Sequence, residues 1–252
     1  MINIILVGVN GKMGQVITRL IAQENDMEIV AGIDPFDGIK NTYPVFKTIS
    51  DCDVKADVII DFASATAVNG LLDYCVKTQT PVVLCTTGLD ESQIRLVEET
   101  SKKVAVLKSA NMSLGINLLL KMLKTAAGTL APAGYDIEVV EKHHNLKKDA
   151  PSGTALALAD SINEELDNRY EYVFDRSQKR EARSQNEIGF AVVRGGTIVG
   201  DHDVIFAGED EVITFSHTAY SKAVFGKGAV QAAKFLAGKG AGLYNMQDVI
   251  EG

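Results

Sequence analysis

The chain begins with a short apolar run, residues 2–8, that contains one polar residue, Asn3, and ends in glycine, and then changes period: Met13, Val16, Ile17, Leu20 and Ile21 recur at i, i+3, i+4, i+7 and i+8. A short apolar run ending in glycine predicts a buried parallel strand, and the helical period predicts an amphipathic helix packed on it. Strand-like runs follow at 28–34, 58–62, 81–87 and 104–110, with helix patterns from about Thr66 to Lys77 and from about Ser92 to Lys102 between them. This alternation predicts an α/β fold, a doubly wound parallel sheet of Rossmann type.

Beyond Asn111 the grammar changes. A long apolar helix over 114–130 leads to a strand over 135–141 and a helix from about Gly153 to Leu166. The polar, charge-rich run 167–187 has no clear period and reads as a surface excursion. Strand-like segments at 188–194, 197–206 and 211–219 come next, separated by Gly195-Gly196 and Gly208-Glu209-Asp210 turns. They describe a second, α+β domain with an open mixed sheet. The alanine-rich helix over 229–236 needs a surface to cover, and the parallel sheet would accept it. The expected organisation is a first domain of residues 1–111 completed by 221–252, and a second of 112–220.

The first turn reads GVNGKMG, and Asp34 ends the second strand 20 positions after Gly14. A glycine-rich turn between strand and helix, with an acidic residue at the next strand tip, is the context a dinucleotide fingerprint requires. Gly8 allows the tight turn, Gly11 lets backbone approach a pyrophosphate, and Gly14 lets the helix pack closely. The helix start offers amides and partial positive charge to phosphates. The spacing is G-x-x-G-x-x-G, a weaker signal than G-x-G-x-x-G. Candidate cofactor residues are therefore Gly8, Val9, Asn10, Gly11, Lys12, Met13 and Asp34. The strand tips Cys85, Thr86, Thr87, Ser109, Ala110, Asn111 and Met112 join them, because ligands of such sheets bind beyond the carboxyl ends of strands. A first domain of this kind binds dinucleotide.

Composition narrows the ligand. A formal charge of -8 argues against nucleic acid as partner, so an anionic ligand must be drawn by a local positive site, and a small anion fits better than a polymer. Cys52, Cys75 and Cys85 have no metal-ligand spacing and are too few for a disulfide framework, which fits a reducing compartment. With no basic leader after Met1 and no apolar run long enough to cross a bilayer, the expected address is the cytoplasm, without a membrane partner.

The densest chemistry lies in EKHHNLKKDAPSGT, residues 141–154. A histidine can give or take a proton near neutral pH, and a second histidine with a lysine can hold a carboxylate. The amides of Gly153 and Thr154 open a helix, a second anion-holding feature. Adjacent strand residues face opposite ways, so the strand must end by His143 if His143 and His144 are to face one ligand, and Lys147 is in reach only if the chain turns back after Asn145. Alternation in Asp201-His202-Asp203 would split its carboxylates from its imidazole, so no metal is expected. Two other functions stay in view. A semialdehyde-type dehydrogenase needs a nucleophilic cysteine in the substrate domain, whereas all three cysteines precede residue 86. A non-catalytic dinucleotide sensor would need no HH-x-x-K segment.

GVNGKMG, CTTG at 85–88, SANMSLGIN at 109–117, HHNLKKDAPSGTA at 143–155 and RGGTIVGDHDVIF at 194–206 together resemble the 4-hydroxy-tetrahydrodipicolinate reductase family over nearly the whole chain. The resemblance implies reduction of a cyclic dicarboxylate imine by NADH or NADPH in lysine and diaminopimelate biosynthesis, by a homotetramer. It implies His143 as proton donor and Lys147 as a second donor and substrate-holding cation. His144 would contact substrate, and Gly153 and Thr154 would bind carboxylate. Cys85, Met112 and Lys12 depart from the family's usual glycine, phenylalanine and arginine. Asp34 followed by Pro35 favours NADH, while Lys12 would still allow NADPH.

Overall fold

The computed structural model describes residues 1–177 and 179–252. Two compact units emerge, one of Met1–Leu114 with Ala223–Gly252 and one of Gly115–Lys222.

The first unit is built on β1 (Ile2–Val7), β2 (Met27–Ile33), β3 (Val45–Phe46), β4 (Val58–Asp61), β5 (Val82–Leu84) and β6 (Ala105–Leu107). Its helices are α1 (Lys12–Ile21), α2 (Val68–Thr78) and α3 (Glu91–Ser101). The second unit begins with α4 (Leu114–Leu130), β7 (Asp136–His143) and α5 (Gly153–Glu165) and continues through β8 (Glu171–Val173), β9 (Glu187–Arg194), β10 (Gly200–Ala207) and β11 (Val212–Ala219). The chain then returns to the first unit with α6 (Ala223–Leu236), β12 (Gly242–Tyr244) and α7 (Met246–Glu251).

In the first unit all seven strands are parallel, in the order β12-β6-β5-β4-β1-β2-β3, a doubly wound sheet whose order reverses at the β1/β4 junction. Both faces are covered, which explains the continuous apolar runs of the strands. Ile4 and Leu6 pack with Ile17 and Ile21 of α1 and with Ala229, Val230 and Ala233 of α6. Ile5 and Val7 face the other way, toward Leu71, Leu72 and Cys75 of α2 and Val97 of α3. The alanine-rich helix thus finds the parallel sheet. Its small residues matter, because a Cβ on Gly228 would lie 1.6 Å from the carbonyl oxygen of Met112.

The five strands of the second sheet run in the order β11-β10-β7-β9-β8, with β7, β8 and β9 parallel and β10 antiparallel to both its neighbours, β7 and β11. Helices α4 and α5 cover one face: Leu119, Leu123, Leu158 and Ile162 pack on Ile137, Val139, Phe190, Val204 and Phe206. The glycine turn at 195–196 separates strands that are not neighbours, because β7 lies between β9 and β10; Gly195 donates to the His143 carbonyl at 2.9 Å, and Asn145 donates to that of Gly196 at 3.2 Å. One expectation is corrected. The run 167–187 is only partly an excursion: it contributes edge strand β8, with Val173 buried and the Tyr172 ring against Phe190, while Gln178 lies outside the described residues. Arg183 pins the rest by donating to the carbonyls of Ile137 and Glu187 at 2.8 and 2.7 Å. Among the described residues no helix is long and apolar enough to cross a membrane.

Gly228→Ala should lose about 3 kcal/mol of stability, since helix or carbonyl must move to admit the methyl group. Gly70→Ala, in α2 with nothing within 4 Å of its Cβ position, should gain about 0.5–1 kcal/mol from helix propensity. Urea unfolding followed by circular dichroism measures both, and equal effects would refute the close-packing argument.

Candidate active site

In the first unit, β1 feeds α1 through the glycine turn. Gly8 adopts φ +77°, and a Cβ there would meet the Phe62 carbonyl oxygen at 2.6 Å. A Cβ on Gly14 would lie 2.2 Å from the Gly8 oxygen, so the first helical turn rests directly on the loop. Gly11 caps α1 without a side-chain bond, and the first turn carries no acidic residue. That leaves the helix start suited to phosphate. A cavity of about 560 Å³ opens here, lined by Gly8, Gly11, Asp34, Lys47, Ser64 and Thr66 among others. Asp34 is fixed by two backbone amides, accepting from Asn10 and from Phe36 at 2.9 Å each. These features fit a dinucleotide.

Not every expected residue lines that cavity. The side chain of Val9 is wholly buried, and that of Asn10 donates to the Phe36 carbonyl and accepts from Asn41, so both are spent on the loop itself. Lys12 is exposed and Met13 half-buried at the start of α1. Cys85, Thr86, Thr87 and residues 109–112 lie past the ends of β5 and β6, outside the cavity lining, and Met112 packs in the core. The Thr86 hydroxyl donates to Asp61 at 2.6 Å, and the Ala63 amide donates to the same carboxylate at 3.2 Å. Burial nevertheless pushes the Asp61 carboxyl up to about 6. Burial first, and Asp61 second, pushes the Cys75 thiol up to about 12 and the Cys85 thiol well above its ordinary value. Those two thiols are poor nucleophiles, which disfavours a thiol-dependent dehydrogenase.

The second unit assembles its polar groups at the end of β7. Glu141 and His143 are two residues apart, so both face the covered side of the sheet, where Glu141 is 0% and His143 8% exposed. His143 Nδ1 lies 2.6 Å from Glu141 Oε2. Arg194, at the end of β9, grips the same carboxylate through both terminal nitrogens at 2.7 Å each, and the Ser152 amide donates to Oε1 at 2.9 Å. Burial opposes the charge on Glu141, but Arg194, His143 and the Ser152 amide together hold it below the usual carboxylate range. Ser152 is the N-cap of α5: its hydroxyl accepts from the Ala155 amide at 3.1 Å and contacts His202 Nε2 at 3.0 Å. The His202 ring stands edge-on to His143 with centroids 5.1 Å apart, and burial, then His143, push His202 down to about 4.

The strand ends at His143, and the chain reverses over His144–Lys147, closed by a Lys147 amide bond to the His144 carbonyl at 3.1 Å. The turn expected after Asn145 therefore exists. Lys147 Nζ reaches back to Asp149 at 2.9 Å and its side chain is 21% exposed. Gly153 and Thr154 form the first turn of α5, with open space at the Gly153 Cβ position. On β10, His202 faces inward while Asp203, on the other face, pairs with Lys142 at 3.4 Å. Glu141, Arg194, Ser152 and His202 were not among the expected site residues. The spacing of Glu141 from His143 and the place of Ser152 directly before the helix were local signals; Arg194 and His202 arrive through strand register.

Residues 2–112 match the family model described as Dihydrodipicolinate reductase, N-terminus, and residues 115–250 its C-terminus counterpart. A protein named 4-hydroxy-tetrahydrodipicolinate reductase from Caldanaerobacter subterraneus subsp. tengcongensis is 52% identical, covering 100% of this chain and 99% of its own. One of the same name from Clostridium tetani is 48% identical over 98% of this chain and 96% of its own. Among solved structures, a dipicolinate-bound dihydrodipicolinate reductase from Paenisporosarcina sp. TG-14 superposes with a TM-score of 0.81 at 24% identity, over 99% of each chain. A probable dehydrogenase from Thermotoga maritima gives 0.64 at 12% identity, covering 98% of this chain and 92% of its own. Those two likenesses speak to the fold.

Asp61 yields a signed prediction. Its folded-state value is about 6 against an ordinary 3.8, so its ionisation costs nothing below about pH 4 and an increasing amount up to about pH 6, reaching about 3 kcal/mol. Asp61→Asn removes that penalty. The stability of Asp61→Asn relative to wild type should rise by about this amount between pH 4 and pH 7 in denaturant titrations; a pH-independent difference would refute the assignment.

Proposed function

The chain belongs to the dihydrodipicolinate reductase family, and we propose that His143 is its proton donor while His144, Lys147 and the first turn of α5 hold substrate carboxylate. The reaction is the NAD(P)H-dependent reduction of 4-hydroxy-tetrahydrodipicolinate in lysine and diaminopimelate biosynthesis. When bound, the reduced nicotinamide supplies the hydride. Every other requirement falls to side chains and amides of this chain.

The observation that carries the assignment is the corner at the end of β7, where the His144–Lys147 turn and the Ser152 cap of α5 bring a proton donor, a cation and a helix start together. With Nδ1 held by Glu141, Nε2 is the nitrogen from which His143 transfers its proton. A substrate carboxylate would compete with Asp149 for Lys147, exchanging one ion pair for another at little cost in desolvation. Gly153 and Thr154 take a carboxylate through backbone amides, and Ser152 keeps that turn in register.

Gly8, Gly11 and the start of α1 are the cofactor's phosphate cradle in this reading, and Asp34 receives the ribose diol. NADH is the preferred reductant and NADPH is accepted, because Asp34 repels a 2′-phosphate while exposed Lys12 and Lys47 offset the repulsion. Units 1–111 with 221–252 and 112–220 are the proposed cofactor and substrate domains. The assembly is a homotetramer, a reading supported by the face of the mixed sheet that α4 and α5 leave uncovered, where Val212, Thr214, Ser216 and Thr218 are exposed. A cytoplasmic location is supported by the biosynthetic step and the three free cysteines.

His143→Ala should lower kcat by about 10²–10⁴ with little change in KM for the dicarboxylate, measured by NADH loss with substrate made in situ by the upstream synthase. Near-wild-type turnover would end the donor assignment. Lys147→Ala should lower kcat and raise KM together, since it both holds substrate and supports proton delivery. For the reductants, kcat/KM with NADPH should not exceed that with NADH by more than about tenfold; a larger ratio would reverse the preference.

A further inference from the structure

We propose that Glu141, clamped by Arg194, is the positioning residue of this site, fixing the tautomer of His143 and the start of α5 through one buried carboxylate. The inference rests on His143 as proton donor and adds two residues to that reading.

A carboxylate has about four lone-pair directions, and in Glu141 all are met. Oε2 accepts from Arg194 Nη1 and faces His143 Nδ1, while Oε1 accepts from Arg194 Nη2 and the Ser152 amide. Guanidinium and amide can only donate. The ionised carboxylate can only accept, so His143 Nδ1 must carry a hydrogen, and the proton that His143 exchanges sits on Nε2. The His143 ring is bounded by Glu141, by the neutral His202 ring and by Gly200, whose Cβ position lies 3.0 Å from Nε2. No other ionised acceptor is bonded to it among the described residues.

The same carboxylate reaches the anion-holding end of the site. Ser152, whose amide it accepts, is the N-cap of α5 and precedes Gly153 and Thr154 directly. Arg194 also donates from Nη2 to the Asp149 carbonyl at 2.6 Å, tying down the loop that carries Lys147. Donor, helix start and lysine loop are therefore referenced to one charge pair.

Glu141→Gln separates this role from mere bulk. On the Oε1 side its NH₂ would oppose both Arg194 Nη2 and the Ser152 amide, whereas on the Oε2 side it opposes Arg194 Nη1 alone, so the NH₂ turns toward His143. His143 Nδ1 must then accept, and the ring switches to the Nε2–H tautomer. In enzyme labelled with ¹⁵N-histidine, Nδ1 of His143 should move from the protonated to the unprotonated shift range, while kcat falls about 10²–10³-fold and KM for the dicarboxylate stays within about threefold. Nδ1 still protonated, or kcat within threefold of wild type, overturns the proposal. Should Glu141→Gln not fold, Arg194→Lys tests the same clamp: kcat falls about tenfold with KM little changed, and unchanged kcat overturns it. His143→Ala distinguishes the failures. If that variant is active, the donor reading itself is wrong; if it is inactive while Glu141→Gln stays active, only the positioning role is lost.

Discussion

A carboxylate sealed from water is tolerated only when donors surround it, and the second unit is arranged around that requirement at Glu141. Removing an ionised group from water costs several kcal/mol, and stranding it by loss of a partner costs about 3–5 kcal/mol. Its donors come from β7, from the end of β9 and from the start of α5, segments far apart in sequence. They meet only because β9 lies beside β7 in parallel register, pairing Arg194 with His143. The strand order of the sheet and the geometry of the candidate site are thus one constraint.

The first unit meets a related problem chiefly with backbone at its glycine turn. The chain is acidic overall, with a formal charge of -8, yet its cofactor is an anion that has to be attracted locally. Gly8 and Gly14 bring loop and helix within distances that no side chain would permit, and uncapped α1 presents its amides there. Such a cradle contributes partial charges without adding a buried ion that would need its own partner. In the second unit Lys147 and Arg194 each already hold a carboxylate or carbonyl.

What could be read from sequence divides along the same line. The glycine loop was legible because its constraints are local: a positive φ at Gly8 and a close contact at Gly14 follow from residue type and spacing. The apolar runs of β1 and β4 and the periods of α1 and α6 were equally direct. Strand order is not local, so nothing around Gly195-Gly196 revealed that β7 lies between the strands it separates. Edge strand β8 hid in a polar run because only Val173 is buried among its three residues, and three-residue β12 and two-residue β3 are too short to carry a period. Glu141 escaped notice for a different reason. Glutamate is ordinarily exposed, and nothing short of the Arg194 contact explains why this one is 0% exposed.

The four histidines show how environment, not residue type, assigns the work. His143 and His202 share a face of the sheet, with ring centroids 5.1 Å apart. His143 receives an ionised carboxylate at Nδ1, whereas His202 receives a serine hydroxyl at Nε2 and has an Nδ1 without a hydrogen-bond partner. Burial, His143, His217 and Lys147 all push His202 downward, Glu141 alone pulls it up, and the balance at about 4 leaves it neutral near pH 7. A neutral ring is what this place demands. A charged ring there would add to the positive charge of Lys147. One ring is set against an ionised carboxylate while the other is held neutral. Here the separation is made by which histidine stands two residues from Glu141 on the same strand.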